Sequence, residues 1–294
     1  MLALLSSRIV AAAAGEAIDP TDDPLQDTLF ATPTQFDRVG RIVAPVMING
    51  RGPFRLLVDT GANATTLSTK LADELGIDYR DGRSIAMNGV TGRALVPMAS
   101  VEQMQAGALI LQDQQVPVVD PHIMANADGI LGIAALTDKQ LIVDFRRDLV
   151  SIGNSRRLPG YLTIVKAKRL AAGLLVAPAL VGRIHTVVVI DTGAQRTLGN
   201  KALHTALQGS LGASATVPVK GVTADIAQGT QTLIEDISLG KVHVNNCPVT
   251  FGDFHVFDLW DLNEQPALIL GMDIIGQASM FVIDFRRQEI GFRG

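Results

Sequence analysis

The sequence contains one cysteine, Cys247, among 294 residues, so no disulfide bond can form within the chain. This count does not assign a compartment, because a protein with an adequate hydrophobic core needs no disulfide even in an oxidising space. Beyond the N-terminus, no apolar run reaches the ~20 residues that a membrane-spanning helix requires. The net charge of -4 lacks the basic excess typical of nucleic-acid-binding proteins. With 47% hydrophobic residues, the sequence is typical of a globular protein with one large core or two modest ones.

Several common catalytic arrangements are also missing from the sequence. It has no Gly-x-Ser-x-Gly motif, and its histidines are scattered without a metal-ligand spacing such as His-x-x-x-His. Cys247 lies in a predicted strand, where an inert buried thiol is expected rather than a nucleophile. We therefore predict no metal site and no cofactor. Surface or hydrogen-bonded roles are expected for the histidines, which are His122, His185, His204, His243 and His255.

The first 36 residues differ in composition from the rest of the chain. Residues 1–17 are mostly apolar and include an alanine run at 11–14, although a basic start is missing and Arg8 interrupts the apolar stretch. We interpret them as a signal peptide or N-terminal anchor, which predicts export to the periplasm or beyond the cell. The alternatives are an alanine-rich start or a misassigned initiator methionine, with a cytoplasmic location left open. Residues 18–36 predict an acidic linker, with a pro-segment as the alternative.

One short motif occurs twice, each time directly after an apolar run. Asp59-Thr60-Gly61-Ala62 follows residues 56–58, and Asp191-Thr192-Gly193-Ala194 follows residues 187–190. In each copy a buried strand would deliver a carboxylate to a tight turn. Glycine permits such a turn, and threonine can form hydrogen bonds across it. Two turns of this kind that face each other would place two carboxylates side by side.

The repeat extends well beyond this motif. Gly89-Val90-Thr91 and Gly221-Val222-Thr223 each begin 30 residues after the aspartate of their half. Further matched pairs follow in the same order: Gly129-Ile130-Leu131-Gly132 with Leu268-Ile269-Leu270-Gly271, and Asp144-Phe145-Arg146-Arg147 with Asp284-Phe285-Arg286-Arg287. This order indicates duplication and fusion, and predicts an N-terminal lobe at 37–158 and a C-terminal lobe at 159–294.

The apolar segments are short and are broken by Gly, Pro and Asn, which favours an all-β fold with a few short helices. In the first half we predict strands at 42–48 and 54–58, a helix at 68–75, a hairpin at 84–96, two strands within 101–119, a turn with a short helix at 128–136 and a closing hairpin at 141–152. The second half repeats this order, with strands at 174–180 and 185–190, a helix at 201–207, a hairpin at 217–233, two strands within 237–249, a turn with a helix at 267–275 and a closing hairpin at 281–292.

Together, the two Asp-Thr-Gly-Ala turns and their downstream apolar-apolar-Gly motifs resemble the aspartic peptidases of the pepsin and retropepsin clan. Residues 269–275 are similar to the end of a retropepsin subunit, and residues 128–132 to the matching stretch of pepsin-like enzymes. Alanine after the glycine resembles retropepsins more than pepsins. The arrangement is similar to a bacterial-type retropepsin-like protein with both lobes on one chain. The resemblance implies two β-barrel lobes related by a pseudo-two-fold axis, a peptide cleft between them and flap hairpins above it.

The resemblance also implies a chemistry. Two carboxylates a few ångström apart cannot both ionise at low cost, so Asp59 and Asp191 would share one proton and activate a water molecule between them. Around this catalytic pair, the supporting turn residues would be Thr60, Gly61, Ala62, Thr192, Gly193 and Ala194. Because Ala62 and Ala194 stand where pepsin-like enzymes usually carry a hydroxyl residue, we expect the pair to titrate at higher pH than a pepsin-like site. Asp273 is interpreted as part of a packing turn.

Flap candidates occur in both halves of the sequence. They are Asn88, Gly89, Val90, Thr91, Gly221, Val222 and Thr223, with Asn88-Gly89 at or near the first hairpin's tip. Unlike pepsins, the first candidate, at 86–94, contains no tyrosine. The predicted function is that of a monomeric aspartic endopeptidase acting on extended polypeptides, without nucleic-acid partners. The alternative is a non-catalytic peptide-binding module on the same fold, and self-processing of the N-terminal segment is a minor third interpretation.

Overall fold

The computed structural model describes residues 40–124, 127–170, 173–223 and 225–294, together with the backbone of three short strands nearer the N-terminus. The predicted signal peptide or anchor and the acidic linker fall largely outside these residues and stay predictions. No helix in the described part of the chain combines the length and apolar character that a membrane crossing needs.

The first half of the chain folds in the predicted order. Its strands are β1 (Arg8–Ala11), β2 (Thr32–Pro33), β3 (Gln35–Phe36), β4 (Ile42–Ile48), β5 (Arg51–Asp59), β6 (Thr66–Ser68), β7 (Ser84–Gly89), β8 (Gly92–Ala106), β9 (Leu109–Val119), β10 (Gly129–Gly132), β11 (Lys139–Asp144) and β12 (Leu149–Asn154). Helix α1 (Thr69–Leu75) follows β6, and two 3-10 helices lie at Pro121–Met124 and Ile133–Leu136.

The second half repeats this arrangement. Its strands are β13 (Thr163–Lys166), β14 (Lys168–Arg169), β15 (Leu175–Val181), β16 (Ile184–Ile190), β17 (Leu198–Gly199), β18 (Ser214–Lys220), β19 (Ile226–Leu239), β20 (Val242–Phe251), β21 (Ala267–Leu270), β22 (Met280–Asp284) and β23 (Glu289–Arg293). Its helices are α2 (Lys201–Leu207), α3 (His255–Leu259) and α4 (Met272–Ile275), with a 3-10 turn at Gln208–Ser210. Helix α3 was not predicted from the sequence.

The two halves have the same strand pairing. In the first lobe, β10 lies between β5, to which it is parallel, and β6, to which it is antiparallel. In the second lobe, β21 lies in the same way between β16 and β17. The first lobe forms an eight-stranded sheet and the second a nine-stranded sheet. These paired sheets confirm the predicted two-lobed, all-β architecture.

The first helix of each lobe begins and ends for identifiable reasons. Ser68 caps α1 by accepting a hydrogen bond from the backbone N–H of Leu71 at 3.0 Å, and Gly76 ends it at a positive φ of 69°. Asn200 caps α2 in the same manner, accepting from Leu203 at 2.9 Å. These equivalent caps place a short helix directly after the strand that follows each Asp-Thr-Gly turn.

The flap strands are longer than predicted. Strand β8 runs without interruption from the first hairpin into the lobe, and β19 does the same in the second lobe. Their side chains alternate between exposed and buried over most of this length, as expected for a strand with one face on the core. Each flap is therefore a continuation of the sheet below it.

The closing hairpins of the two lobes pair with each other, whereas the sequence predicted that each would complete its own lobe. Strand β11 pairs antiparallel with β22, so that Leu141 lies opposite Ile283, within a six-stranded sheet that spans both lobes. All five residues of β22 are buried, as are residues 140–144 of β11. Strands buried on both faces need a partner on each edge, and the other lobe supplies it.

Candidate active site

Each aspartate lies at the carboxyl end of a buried central strand. Strand β5 ends at Asp59, which pairs with Gly132 of β10. Strand β16 ends at Ile190, and the next residue, Asp191, donates its backbone N–H to Leu270 of β21 at 3.1 Å. The apolar runs before the two aspartates therefore pack in the cores of their lobes and hold both acidic residues at the edge of the cleft.

The two carboxylates are held by equivalent hydrogen bonds. Oδ1 of Asp59 accepts the backbone N–H groups of Gly61 and Ala62, both at 2.9 Å. Oδ1 of Asp191 accepts those of Gly193 at 2.8 Å and Ala194 at 3.0 Å. Each turn thus fixes its own carboxylate through one oxygen.

The carboxylates also face each other across the two turns. A β-carbon built on Gly61 would lie 2.5 Å from the carboxylate of Asp191, and one built on Gly193 would overlap the carboxylate of Asp59. The two carboxyl groups lie within hydrogen-bonding reach of each other. Glycine is required at both positions because no other residue leaves room for the opposing carboxylate.

Two threonines lock the turns together across the lobe interface. The Thr60 backbone N–H donates to the Thr192 hydroxyl at 3.1 Å, and the Thr192 N–H donates to the Thr60 hydroxyl at 3.0 Å. The Thr60 hydroxyl in turn donates to the carbonyl of Ile190 at 2.7 Å, and that of Thr192 to the carbonyl of Val58 at 2.6 Å. Both side chains are buried, so each donor and acceptor is satisfied from the opposite lobe.

Burial raises the pKa of both carboxyl groups. For Asp191, the pKa lies well above its usual range because of burial first and the negative charge of Asp59 second. Burial also raises the pKa of Asp59, although the N–H of Gly61 and the positive charge of Arg41 oppose the shift. Since the two groups interact strongly, the shared proton belongs to the pair. Ala62 and Ala194 supply backbone N–H groups and no hydroxyl, and the expected difference from a pepsin-like site stays a prediction.

The apolar-apolar-Gly motifs support the turns from below. The backbone N–H of Ile133 donates to the carbonyl of Ala62, and that of Met272 donates to the carbonyl of Ala194, both at 2.8 Å. A β-carbon on the last glycine of either motif, Gly132 or Gly271, would come within 2.5–2.7 Å of the backbone beyond the turn. The paired motifs of the sequence are therefore one structural unit in each lobe.

Asp273 has a packing role, as the sequence indicated. Its carboxylate accepts hydrogen bonds from the N–H of Thr197 at 3.0 Å and from the Thr197 hydroxyl at 2.8 Å. Burial raises the pKa of Asp273. Burial likewise raises the pKa of the Cys247 thiol to about 12, with the charges of Asp273 and Asp236 adding to the effect. Cys247 is therefore a buried, unreactive thiol.

The predicted flap residues meet above the pair of aspartates. The hydroxyl oxygens of Thr91 and Thr223 lie 3.0 Å apart. A β-carbon on Gly89 would lie 2.9 Å from the Val222 side chain, so the tips are in close contact. The first turn lies between Gly89 and Gly92, just beyond the position predicted from the sequence. All seven flap candidates thus fall at or beside the hairpin tips.

A contact between the first flap and the opposite lobe was not predicted. Nε2 of His255, on α3, lies 3.3 Å from Oδ1 of Asn88. The sequence predicted only a surface or hydrogen-bonded role for this histidine, because no sequence pattern indicates a contact between residues so far apart in the chain. Val256, Leu259 and Trp260, on or next to α3, also line the cleft.

The lobes and flaps enclose a cleft of about 850 Å³, whose lining includes Asp59, Asp191 and both flaps. Arg41, which precedes β4, also lines it and was missed by the sequence analysis because a lone arginine has no motif. Among the described residues, no group of three His, Cys, Asp or Glu side chains could hold a metal ion. The geometry places two adjacent carboxyl groups with raised pKa values in the lining of this cleft.

The comparisons with known proteins agree with this geometry. The sequence profile of the aspartyl protease family matches residues 44–135 and 177–274, one segment in each lobe. DNA damage-inducible protein 1 of Candida glabrata is 29% identical over 137 residues, which cover 46% of this chain and 30% of that protein. The proteins of that name from Eremothecium gossypii and Saccharomyces cerevisiae are 27% and 26% identical over 133 and 138 residues.

In the latter two, the aligned stretch covers 45% of this chain and 27% and 30% of the relatives. The chain therefore spans less than a third of the length of the curated relatives that it matches. The profile, by contrast, covers more than half of the chain, and its two segments contain the two Asp-Thr-Gly turns. This two-lobed, all-β chain with a retropepsin-like fold belongs to the aspartyl protease family.

Proposed function

We propose that this chain is an aspartic endopeptidase that hydrolyses peptide bonds of extended polypeptides with a water molecule activated by Asp59 and Asp191. The observation that carries the proposal is the close approach of these two carboxyl groups, each held by two backbone N–H groups of its own turn. Membership of the aspartyl protease family supports a hydrolase with a polypeptide substrate.

The reaction follows from the shared proton. With one proton on the pair, the ionised carboxylate removes a proton from water as the water oxygen attacks the peptide carbonyl carbon. The protonated partner donates its proton to the carbonyl oxygen, and a tetrahedral diol forms without a covalent bond to the enzyme. In the collapse, the protonated carboxyl of the pair donates its proton to the leaving nitrogen, the ionised carboxylate takes a proton from one diol hydroxyl, and the C–N bond breaks to release an amine and a carboxylic acid. The pair ends with one proton, ready for another cycle.

The raised pKa values suit this chemistry. A pair that holds one proton above the ordinary range of aspartate contains an acid and a base at the same time, at mildly acidic pH. The hydrogen bonds from Gly61, Ala62, Gly193 and Ala194 stabilise the ionised oxygen, while burial opposes full ionisation. The balance favours the singly protonated state, which is the active form in this mechanism.

Substrate access requires the flaps to separate. Their tips are in contact above the aspartates, so a polypeptide can enter only when the Thr91–Thr223 contact opens. The flap strands continue into each lobe as long β-strands, and an extended substrate fits between them and the floor of the cleft.

Cleavage of an unfolded protein tests the proposal. We expect the purified chain to cleave it, pepstatin to inhibit the cleavage, and Asp59→Asn and Asp191→Asn each to lower the rate by ~10²–10⁴-fold with the fold preserved. Asp113→Asn removes an exposed carboxylate on β9; it is the matched control and should keep the wild-type rate. Peptide binding without cleavage would overturn the proposal and indicate a binding module on the same fold.

A further inference from the structure

The charged residues that line the cleft are of one sign, apart from the catalytic pair. Within the described part of the chain, these residues are Arg41, Arg196 and Lys220. The whole chain, in contrast, carries a net charge of -4. The cleft is therefore a basic site on an acidic protein, and a general surplus of basic residues does not explain it.

Arg41 brings one positive charge close to the catalytic pair. It directly precedes β4 and is half-buried, and its charge opposes the rise in the pKa of Asp59. The segment Val43-Ala44-Pro45 of β4 is repeated as Val176-Ala177-Pro178 in β15, so the position that matches Arg41 in the second lobe is Leu174, which is fully buried in the core. The positive charge is thus present on one side of the pseudo-two-fold axis.

Arg196 supplies a second charge from the other lobe. It lies five residues after Asp191, and the backbone around it is fixed by the close approach of Gly271. Its side chain is exposed; its charge acts on the part-buried carboxylate of Asp273, which accepts its hydrogen bonds from Thr197. The matching position in the first lobe, five residues after Asp59, is Ala64, which also lines the cleft.

Lys220 supplies the third charge, next to the tip of the second flap. It is the last residue of β18, is exposed, and directly precedes Gly221 at the flap tip. Its counterpart in the first flap is the neutral Asn88. Within the described residues, neither Lys220 nor Arg196 forms an ion pair with a carboxylate. Both can therefore interact with a charged ligand in the cleft.

We infer that the cleft selects polypeptide segments with aspartate or glutamate side chains beside the bond that is cleaved, and that Arg41, Arg196 and Lys220 determine this specificity. The inference rests on the proposed endopeptidase function. Arginine can bind a carboxylate through two parallel N–H groups, and hydrogen bonds between charged groups are stronger than neutral ones. A substrate lysine at the same positions would meet like charge, which disfavours it.

A peptide series tests the inference. One cleavable sequence is varied to Glu, Gln or Lys at each position flanking the cleaved bond, and kcat/KM is measured at a pH at which glutamate is ionised. At one or more positions we expect Glu to exceed Gln by roughly tenfold and Lys to fall below Gln, since charge-assisted hydrogen bonds are about twice as strong as neutral ones. High salt should reduce the preference, because the basic residues are partly exposed.

Variants assign the preference to the three residues. Arg41→Gln, Arg196→Gln and Lys220→Gln should each bring the Glu-to-Gln ratio of kcat/KM toward one at a particular peptide position. Arg183→Gln and Lys241→Gln remove exposed charges in turns outside the cleft lining and should leave the ratio unchanged. Equal cleavage of the Glu and Gln peptides by the wild-type protein would overturn the inference while leaving the proposed function standing.

A binding measurement separates the two proposals. The Asp59→Asn chain is titrated with fluorescent Glu, Gln and Lys versions of the peptide. Tighter binding of the Glu peptide supports the inference even if no peptide is cleaved, in which case only the proposed function fails. Equal binding of all three peptides overturns the inference.

Discussion

Thr60 and Thr192 hold each other through a reciprocal set of hydrogen bonds across the two lobes, with each backbone N–H donating to the hydroxyl of the other at 3.1 and 3.0 Å. Each hydroxyl then donates to the carbonyl two residues before the opposite threonine, that of Ile190 or Val58. The relative position of the two aspartates is therefore set by the residues directly after them. The site is a property of the lobe interface, which neither lobe forms alone.

The first prediction concerns this interface. Thr60→Val should lower the free energy of unfolding by ~1–3 kcal/mol, because the N–H of Thr192 and the carbonyl of Ile190 lose their buried partner. It should also lower kcat, since the two aspartates would no longer be held in their present relative position. Thr60→Ser keeps the hydroxyl and should retain most of both properties. Denaturant titration and peptide cleavage measure the two effects, and equal behaviour of the valine and serine variants would contradict this role.

The second prediction concerns the two turn glycines. Gly61→Ala and Gly193→Ala should each abolish activity, because the added methyl group would occupy the space of the opposing carboxylate. Gly160→Ala is the matched control, since nothing lies within 4 Å of its β-carbon position. Cleavage assays on folded variants test this. Wild-type activity in either turn variant would show that the carboxylates do not need to approach the opposite turn.

The third prediction concerns stability and pH. The folded-state pKa of Asp191 is raised by burial and by Asp59, so the folded state keeps a proton that the unfolded chain has already lost. Stability conferred by this proton is full below the ordinary aspartate pKa and falls as pH rises toward the raised value, by about 1.4 kcal/mol per pH unit. Asp191→Asn cannot ionise, so it should be more stable than the wild type at neutral pH, with the difference vanishing in acid.

Denaturant titrations across pH check this expectation. Asp113→Asn, which removes an exposed carboxylate, serves as the comparison and should follow the wild-type curve. Parallel pH dependence of the wild-type and Asp191→Asn proteins would mean that the pair of carboxyl groups does not hold a proton in the folded state.

The fourth prediction concerns the contact between His255 and Asn88. Because this contact ties the first flap to the second lobe, His255→Ala and Asn88→Ala should each lower kcat/KM by ~2–10-fold, the value of a net hydrogen bond. The double variant should lose no more than either single one, since both remove the same interaction. His243→Ala, which removes a solvent-exposed contact with Asp236, is the control. Additive losses would show that the two residues act independently.

Sequence reasoning located the parts of the site that repeat. The Asp-Thr-Gly-Ala turns and the flap tips each occur twice; both turns lie where the sequence placed them, and the first flap turn lies just beyond its predicted position. The pairing of β11 with β22 was missed because the sequence of an apolar hairpin does not specify which strand it will pair with in the fold. The His255–Asn88 contact and the position of Arg41 were missed for a related reason. Each arises where elements distant in the sequence meet, and the residues are not repeated in the other half: Leu174 stands at the position that matches Arg41, and Lys220 at the one that matches Asn88.

The central claim is that one chain contains one complete catalytic pair, and mixing inactive variants tests it most directly. Purified Asp59→Asn and Asp191→Asn chains are combined in equal amounts, and peptide cleavage is compared with the wild type over a range of concentrations. We predict no activity in the mixture and a wild-type rate that is linear in protein concentration. Recovery of activity in the mixture, up to about a quarter of the wild-type rate for random pairing of two chains, would contradict the claim and place the site between subunits.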